Sequence, residues 1–320
     1  MKTFLKTSLA VLAAIGFQAH AAYPEKPIRL VVPFGAGTST DTTARVIGDS
    51  LSRQLGQTIV VENKPGAGGA IGSDFVAKSK PDGYTLSFGT VGTFAINKAL
   101  FSKLAYDPSK DFTYLGMPGY TPTLLVVGKD APYATLKDLV DDARNNSGKV
   151  AFASAGNGTS GHLAGELLKK KAGVTMLHVP YKEGAQGLTD TISGQVSFMF
   201  YHPVAVVPHI KSGGLKALAA SGSKRSSLAP DVPTIAESGY PGFDLTAWYM
   251  LVAPAGLPDE TRAKLQEAAD KAMHDPAVRE ALKKQGLEGE PLPAGQLNAF
   301  VEAEIAKWAE VVEAANARVD

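Results

Sequence analysis

The sequence predicts an α/β protein of two lobes that hinge together as a clamshell. Three observations carry that prediction. A strand, a glycine-rich turn and a helix follow one another twice, more than a hundred residues apart. Strands and helices alternate along most of the chain. Once a leader is set aside, about 300 residues remain, more than one hydrophobic core usually holds.

The first unit begins with the apolar strand Ile28–Phe34, turns through Gly35–Asp41, and continues as a helix with Ala44, Ile47, Leu51 and Leu55 at helical spacing. Ser39, Thr40 or Asp41 is available as its N-cap. The second unit repeats it: strand Val150–Ser154, turn Gly156–Ser160, and a helix marked by Leu163, Leu167 and Leu168. Both turns read Gly-x-Gly-Thr-Ser, at Gly35–Ser39 and Gly156–Ser160. A turn that opens onto a helix presents free backbone N–H groups at the positive end of the helix dipole, which favours an anion. Two such turns facing across a cleft would clamp one small anion.

Met1–Ala21 reads as a secretory leader, with Lys2 and Lys6, the apolar run Ser8–Phe17 and the cleavage triplet Ala19-His20-Ala21. The run is too short to span a bilayer, and no cysteine offers a lipid anchor. The expected protein is therefore exported to the periplasm. Without Lys2 and Lys6, 30 basic residues face 31 acidic ones, a net charge near −1. That balance argues against nucleic acid or an anionic membrane surface as partner. With no cysteine in the chain, disulfides, thiolate catalysis and cysteine metal sites are excluded.

Thr58–Glu62, a helix over Ala70–Lys78 and Tyr84–Gly89 continue the strand–helix alternation, which predicts a parallel sheet with right-handed crossovers. Ligands bind at the carboxyl ends of such strands, where Gly35–Asp41 and Gly89–Thr93 lie. Thr113–Gly128, with Pro118 and Pro122, reads as the passage into a second lobe. There the pattern gives helix Leu136–Arg144, strand Val150–Ser154, helix Ser160–Lys171, strand Thr175–Val179 and helix Ala185–Ile192. Strand Val196–Phe200, helix Val204–Ile210 and strand Leu215–Ala220 complete it. Thr246–Ala253 returns to the first lobe, followed by helices Pro258–Met273 and Pro276–Gln285 and an amphipathic one carrying Leu297, Phe300, Val301, Ile305, Trp308 and Val312. The expected lobes are 22–122 with 249–320, and 123–248.

Several chemistries are tested by these residues. Gly156–Gly161 fits the dinucleotide pattern G-x-G-x-x-G, but the next strand ends in Leu177-His178-Val179-Pro180, with no acid to hold a ribose. Neither turn has the Gly-Lys-Ser/Thr of a phosphate-binding loop or the G-x-S-x-G of a nucleophile elbow. The five histidines beyond the leader lack metal-ligand spacing, so no metal and no cofactor is expected. Asp41 is open to two roles, cap or cleft group. Phe94, Tyr181 and Tyr201 are open between pocket wall and core.

Tyr23-Pro24-x-Lys26-Pro27-Ile28-Arg29-Leu30-Val31-Val32-Pro33-Phe34, Val61-Glu62-Asn63-x-Pro65-Gly66-Ala67-Gly68-Gly69 and Ala95-Ile96-Asn97 carry a family resemblance. So do His178-Val179-Pro180-Tyr181-Lys182, Ser193-Gly194-Gln195-Val196 and Pro230-Asp231-Val232-Pro233-Thr234. The chain resembles the periplasmic receptors of tripartite tricarboxylate transporters, of the Bordetella uptake gene (Bug) type. The resemblance implies a type II-like periplasmic binding protein that catches a carboxylated solute and delivers it to membrane permease subunits. It also implies a carboxylate held by amides, hydroxyls and water between the two turns. The sequence departs from the family at Thr38, where a second glycine is common, at Phe94, where histidine is frequent, and at Tyr201, where aspartate often follows Met-Phe. Loss of that carboxylate favours an aromatic or apolar-bodied acid, or a dicarboxylate, over an amino acid.

The ligand-binding positions so expected are Phe34, Gly35, Ala36, Gly37, Thr38, Ser39 and Asp41, with Thr90 and Phe94, in the first lobe. In the second they are Ser154, Ala155, Gly156, Asn157, Gly158, Thr159, Ser160 and His162, with Tyr181 and Tyr201. A binding protein of this kind is expected to act as a monomer without catalysis. The alternatives are a periplasmic hydrolase using Ser160 and His162, or a sensory receptor.

Overall fold

The computed structural model describes residues 23–314 and 317–319; the expected leader lies outside the described residues. In the first part of the chain come β1 (Ile28–Val32), α1 (Ser39–Leu55), β2 (Ile59–Asn63), α2 (Ala70–Ala77), β3 (Thr85–Thr90), α3 (Asn97–Leu100), β4 (Phe112–Gly116) and β5 (Tyr120–Pro122). The middle holds β6 (Leu124–Gly128), α4 (Leu136–Asn145), β7 (Ala151–Ser154), α5 (Ser160–Ala172), β8 (Leu177–Pro180), α6 (Gly184–Ile192), β9 (Phe198–Tyr201), α7 (Pro203–Lys211) and β10 (Leu215–Ala220). β11 (Thr246–Pro254), α8 (Asp259–His274), α9 (Pro276–Lys284) and α10 (Leu297–Ala314) follow.

Two sheets result. One runs β2-β1-β3-β11-β4, with β5 also paired to β11; the other runs β10-β6-β9-β7-β8. β1 lies parallel between β2 and β3, and β7 lies parallel between β8 and β9. Each glycine turn thus leaves an inner strand whose two neighbours end at the same edge. The sequence expectation of a parallel sheet needs correction beyond these strands. β11 runs antiparallel to β3 and β4, because it enters from the other lobe instead of returning over a crossover helix. β4 is a second correction: Phe112–Gly116 is an edge strand of the first sheet, not passage. The chain changes sheets between β5 and β6, and again between β10 and β11. There Ser221 Oγ accepts from the Thr123 amide at 2.9 Å and donates to the Leu245 carbonyl at 2.6 Å, pinning the two crossings together.

Burial explains the elements. In β1 only Arg29 is exposed, as both faces of the strand are covered. Ala44, Ile47, Leu51 and Leu55 of α1 pack with Leu265 and Leu282 of α8 and α9. On the opposite face α10 buries Leu297, Val301, Trp308 and Val312. Glu304 of that helix is buried and accepts from both indoles, Trp248 at 2.7 Å and Trp308 at 2.9 Å.

Candidate functional site

The two turns share one capping pattern and differ at their first glycine, where Gly156 has φ +109° and Gly35 does not have positive φ. Thr38 caps α1 and Thr159 caps α5; each takes the amide of the third helical residue on its hydroxyl, Asp41 at 3.3 Å and His162 at 3.4 Å. Each hydroxyl also donates to the carbonyl of the turn's first glycine, Gly35 or Gly156, at 2.8 Å. The glycine before each threonine has positive φ, +78° at Gly37 and +81° at Gly158, a conformation that costs side-chain-bearing residues. The expectation that Ser39, Thr40 or Asp41 caps the first helix is therefore corrected to Thr38. The threonine is favoured because its hydroxyl reaches the third amide from an extended backbone.

Capping by threonine leaves two amides free at each helix start. Ser39 and Thr40, and likewise Ser160 and Gly161, find no acceptor among the described residues. Thr38, Ser39, Thr40, Thr159, Ser160 and Gly161 line one cavity of about 40 Å3 between the lobes. Phe34, Thr90, Ala155, Phe200, Tyr201 and His202 complete its wall, and none of the twelve is charged. Phe34 and Ala155 also border an outer chamber of about 370 Å3, reached past Pro65–Gly69, Phe101, Gly156, Asn157 and Pro180–Lys182. Both residues stand in the wall shared by the two spaces.

The lobes touch at this site. A Cβ at Gly158 would lie 2.2 Å from Asn97 Oδ1, and one at Gly68 2.1 Å from the Asn157 carbonyl. The Glu183 carboxylate, from the second lobe, reaches Gly35 in the first. The structure is that of a closed clamshell.

Not every expected residue faces the cavity. Asp41 resolves as neither cap nor cleft group: it accepts from the Gly37 amide at 2.9 Å, from Arg45 and from Asn63. Burial alone would raise its carboxyl, but hydrogen bonds from Arg45, Gly37 and Asn63 hold it below the usual carboxylate range. Ala36 and Gly37 are exposed on the outer side of the turn, and the Gly37 amide is already used. His162 plays the part of Asp41 in the second lobe, accepting from the Gly158 amide at 3.3 Å. Ser154 is fully buried and braces the same turn, bonded to the Gly156 amide and to His178 Nε2 at 2.6 Å. Phe94 is a core aromatic, edge-on to Phe112 and Tyr114 and wholly buried. Tyr181 borders the outer chamber, its hydroxyl donating to Asp190 at 2.7 Å. Tyr201 reaches the inner cavity, and burial followed by the Glu183 carboxylate pushes its phenol up to about 12, so it stays protonated. Sequence reasoning missed Thr40, Gly161, Phe200 and His202. The available signal was the direct passage from β9 into α7, a third strand-to-helix junction at the carboxyl edge.

Residues 43–317 match the family described as the tripartite tricarboxylate transporter family receptor. The chain belongs to that family. The receptor is 36% identical to protein BugT of Bordetella pertussis over 298 residues, 93% of this chain and 91% of that one. It superposes on MatC from Rhodopseudomonas palustris with bound malate at TM-score 0.84 and 36% identity, covering 91% of this chain and all of that one. A second R. palustris protein, with adipate, gives TM-score 0.88 at 34% identity, over 92% and 98% of the two chains. These are solute-binding receptors and not enzymes. The hydrolase alternative falls with them: His162 Nδ1 accepts from the Gly158 amide, so the neutral ring carries its proton on Nε2 and offers Ser160 no base.

Proposed function

We propose that the receptor holds the carboxylate of a small solute between the starts of α1 and α5, within the periplasm, and offers the closed complex to membrane permease subunits. The observation that supports this most is that the residues carrying the free amides of both helix starts line one cavity, with no charged side chain among the twelve lining residues. An anion there meets two positive helix ends, worth about 0.3–2 kcal/mol each. It also accepts charge-assisted hydrogen bonds from amides and from the Ser39, Thr40 and Ser160 hydroxyls, about 1.5–3 kcal/mol apiece. Less the cost of ordering, four or five such contacts reach the roughly −8 kcal/mol of a micromolar complex. The carboxylates named with MatC and its R. palustris relative agree with that chemistry. The body of the solute extends past Phe34 and Ala155 toward the outer chamber, where Phe101, Pro180 and Tyr181 suit an apolar or aromatic frame and Lys182 also lines the wall. Because the lobes meet only when closed, the permease has a surface that reports occupancy. Isothermal titration of aromatic acids, aliphatic mono- and dicarboxylates, acidic amino acids and the corresponding amides tests the proposal. Micromolar binding of an apolar-bodied acid with none for its amide is expected; equal binding of acid and amide, or tight binding of aspartate alone, would overturn it.

A further inference from the structure

His202 lines the cavity, directly after β9 and immediately before Pro203 starts α7. Its Nδ1 is buried and has no hydrogen-bond partner. The adjoining Tyr249 ring lies 5.9 Å away, its buried hydroxyl turned toward Ser39. A buried N–H without an acceptor costs more than a bare lone pair without a donor. The proton of a neutral imidazole therefore belongs on the other nitrogen. Burial keeps the ring neutral, holding its titration down at about 4. His202 thus presents an Nε2–H donor, with no protein acceptor among the described residues, to the cavity it lines.

We infer that His202 is a specificity-determining residue, whose Nε2–H meets an oxygen carried on the carbon next to the bound carboxylate, so that the receptor selects 2-hydroxy- or 2-oxo-acids. The inference rests on the carboxylate reading above. His202 lines the same cavity of about 40 Å3 as Ser39, Thr40, Ser160 and Gly161, which take the carboxylate in that reading, so an oxygen that meets it belongs near the first group. A site built around a buried donor discriminates strongly against a ligand that leaves it unpaired.

The test is titration calorimetry with matched sets: phenyllactate, phenylpyruvate and 3-phenylpropionate, and the hexanoates bearing 2-hydroxy, 2-oxo or no substituent. The oxygen-bearing acids of at least one set should bind tenfold or more tighter than the plain acid. His202→Phe should bring that ratio close to one, while His202→Gln, which keeps a donor near the Nε2 position, should restore part of it. Equal affinities within every set, or a loss in His202→Phe shared by substituted and plain acids alike, would overturn the inference while leaving carboxylate binding in place. Failure of every acid to bind would remove both. Should the variants not fold, long-range 1H–15N correlation spectra of the wild-type protein decide: an Nε2–H tautomer whose Nε2 shifts on addition of the substituted acid is expected, and an Nδ1–H tautomer refutes it.

Discussion

The Gly158 amide points at Nδ1 of His162 from 3.3 Å, so the second turn keeps its shape only while that nitrogen carries no proton. His162 also stacks on His178, with ring centres 4.1 Å apart. Burial, then the neighbouring His178 and Lys169, holds His162 down at about 3, and burial with Lys169 holds His178 at about 4. An unfolded chain binds protons on both rings near pH 6.5. Both folded values lie below that, so the stability these rings contribute is complete above pH 6.5 and is lost as pH falls toward 4 and 3. Thermal melts should show the transition temperature falling through this window. His162→Gln keeps an acceptor for Gly158 and does not titrate, so its decline should be shallower; parallel slopes would contradict the assignment.

Gly158 and Gly173 separate closure from backbone strain. Both have positive φ, +81° and +63°, but a Cβ at Gly158 meets Asn97 across the cleft whereas one at Gly173 meets nothing. Alanine at either position should cost about 1–2 kcal/mol of stability. Only Gly158→Ala should also raise the dissociation constant of the bound acid tenfold or more, as read by titration calorimetry. Equal affinities in the two variants would show that the lobes need not meet at Gly158.

Ser160 and Ser39 head the two helices and line the same cavity. Loss of one hydroxyl to a carboxylate removes about 1.5–3 kcal/mol, or roughly ten- to hundredfold in affinity. Ser160→Ala and Ser39→Ala should each weaken binding by that order while the melting temperature of the unliganded protein stays within a few degrees. Unchanged affinity in both variants would count heavily against a shared clamp.

Glu304 offers a stability test away from the ligand. Its carboxylate is the acceptor for the indoles of Trp248 and Trp308, which join β11 to α10. Glu304→Leu leaves two buried N–H groups unpaired, at about 1–3 kcal/mol each. Chemical denaturation should show a loss of that size with little change in ligand affinity.

The turns were legible in the sequence because their chemistry is local: glycine for positive φ, threonine for the cap, a strand before and a helical stripe after. The direction of β11 was not. An apolar run such as Thr246–Ala253 marks a buried strand, but its orientation depends on where the chain has been, here through a whole second lobe. Which side of the turn a residue faces was equally hidden. Phe34 and Thr38 face the cavity, while Ala36 and Gly37 face solvent and Asp41 turns back to Arg45, a distinction set by backbone angles that composition does not report. Phe94 was misplaced because its packing against Phe112 and Tyr114 is a long-range contact. His202 was passed over as one of five scattered histidines, since nothing local marks it until β9 is placed beside β7.

The most direct measurement is a crystal structure of the protein with a bound carboxylic acid identified by titration. The carboxylate oxygens should lie within about 3 Å of amides at both helix starts, Ser39 or Thr40 on one side and Ser160 or Gly161 on the other. An acid bound by only one lobe, or lodged outside the cavity with both turns empty, would contradict the clamp.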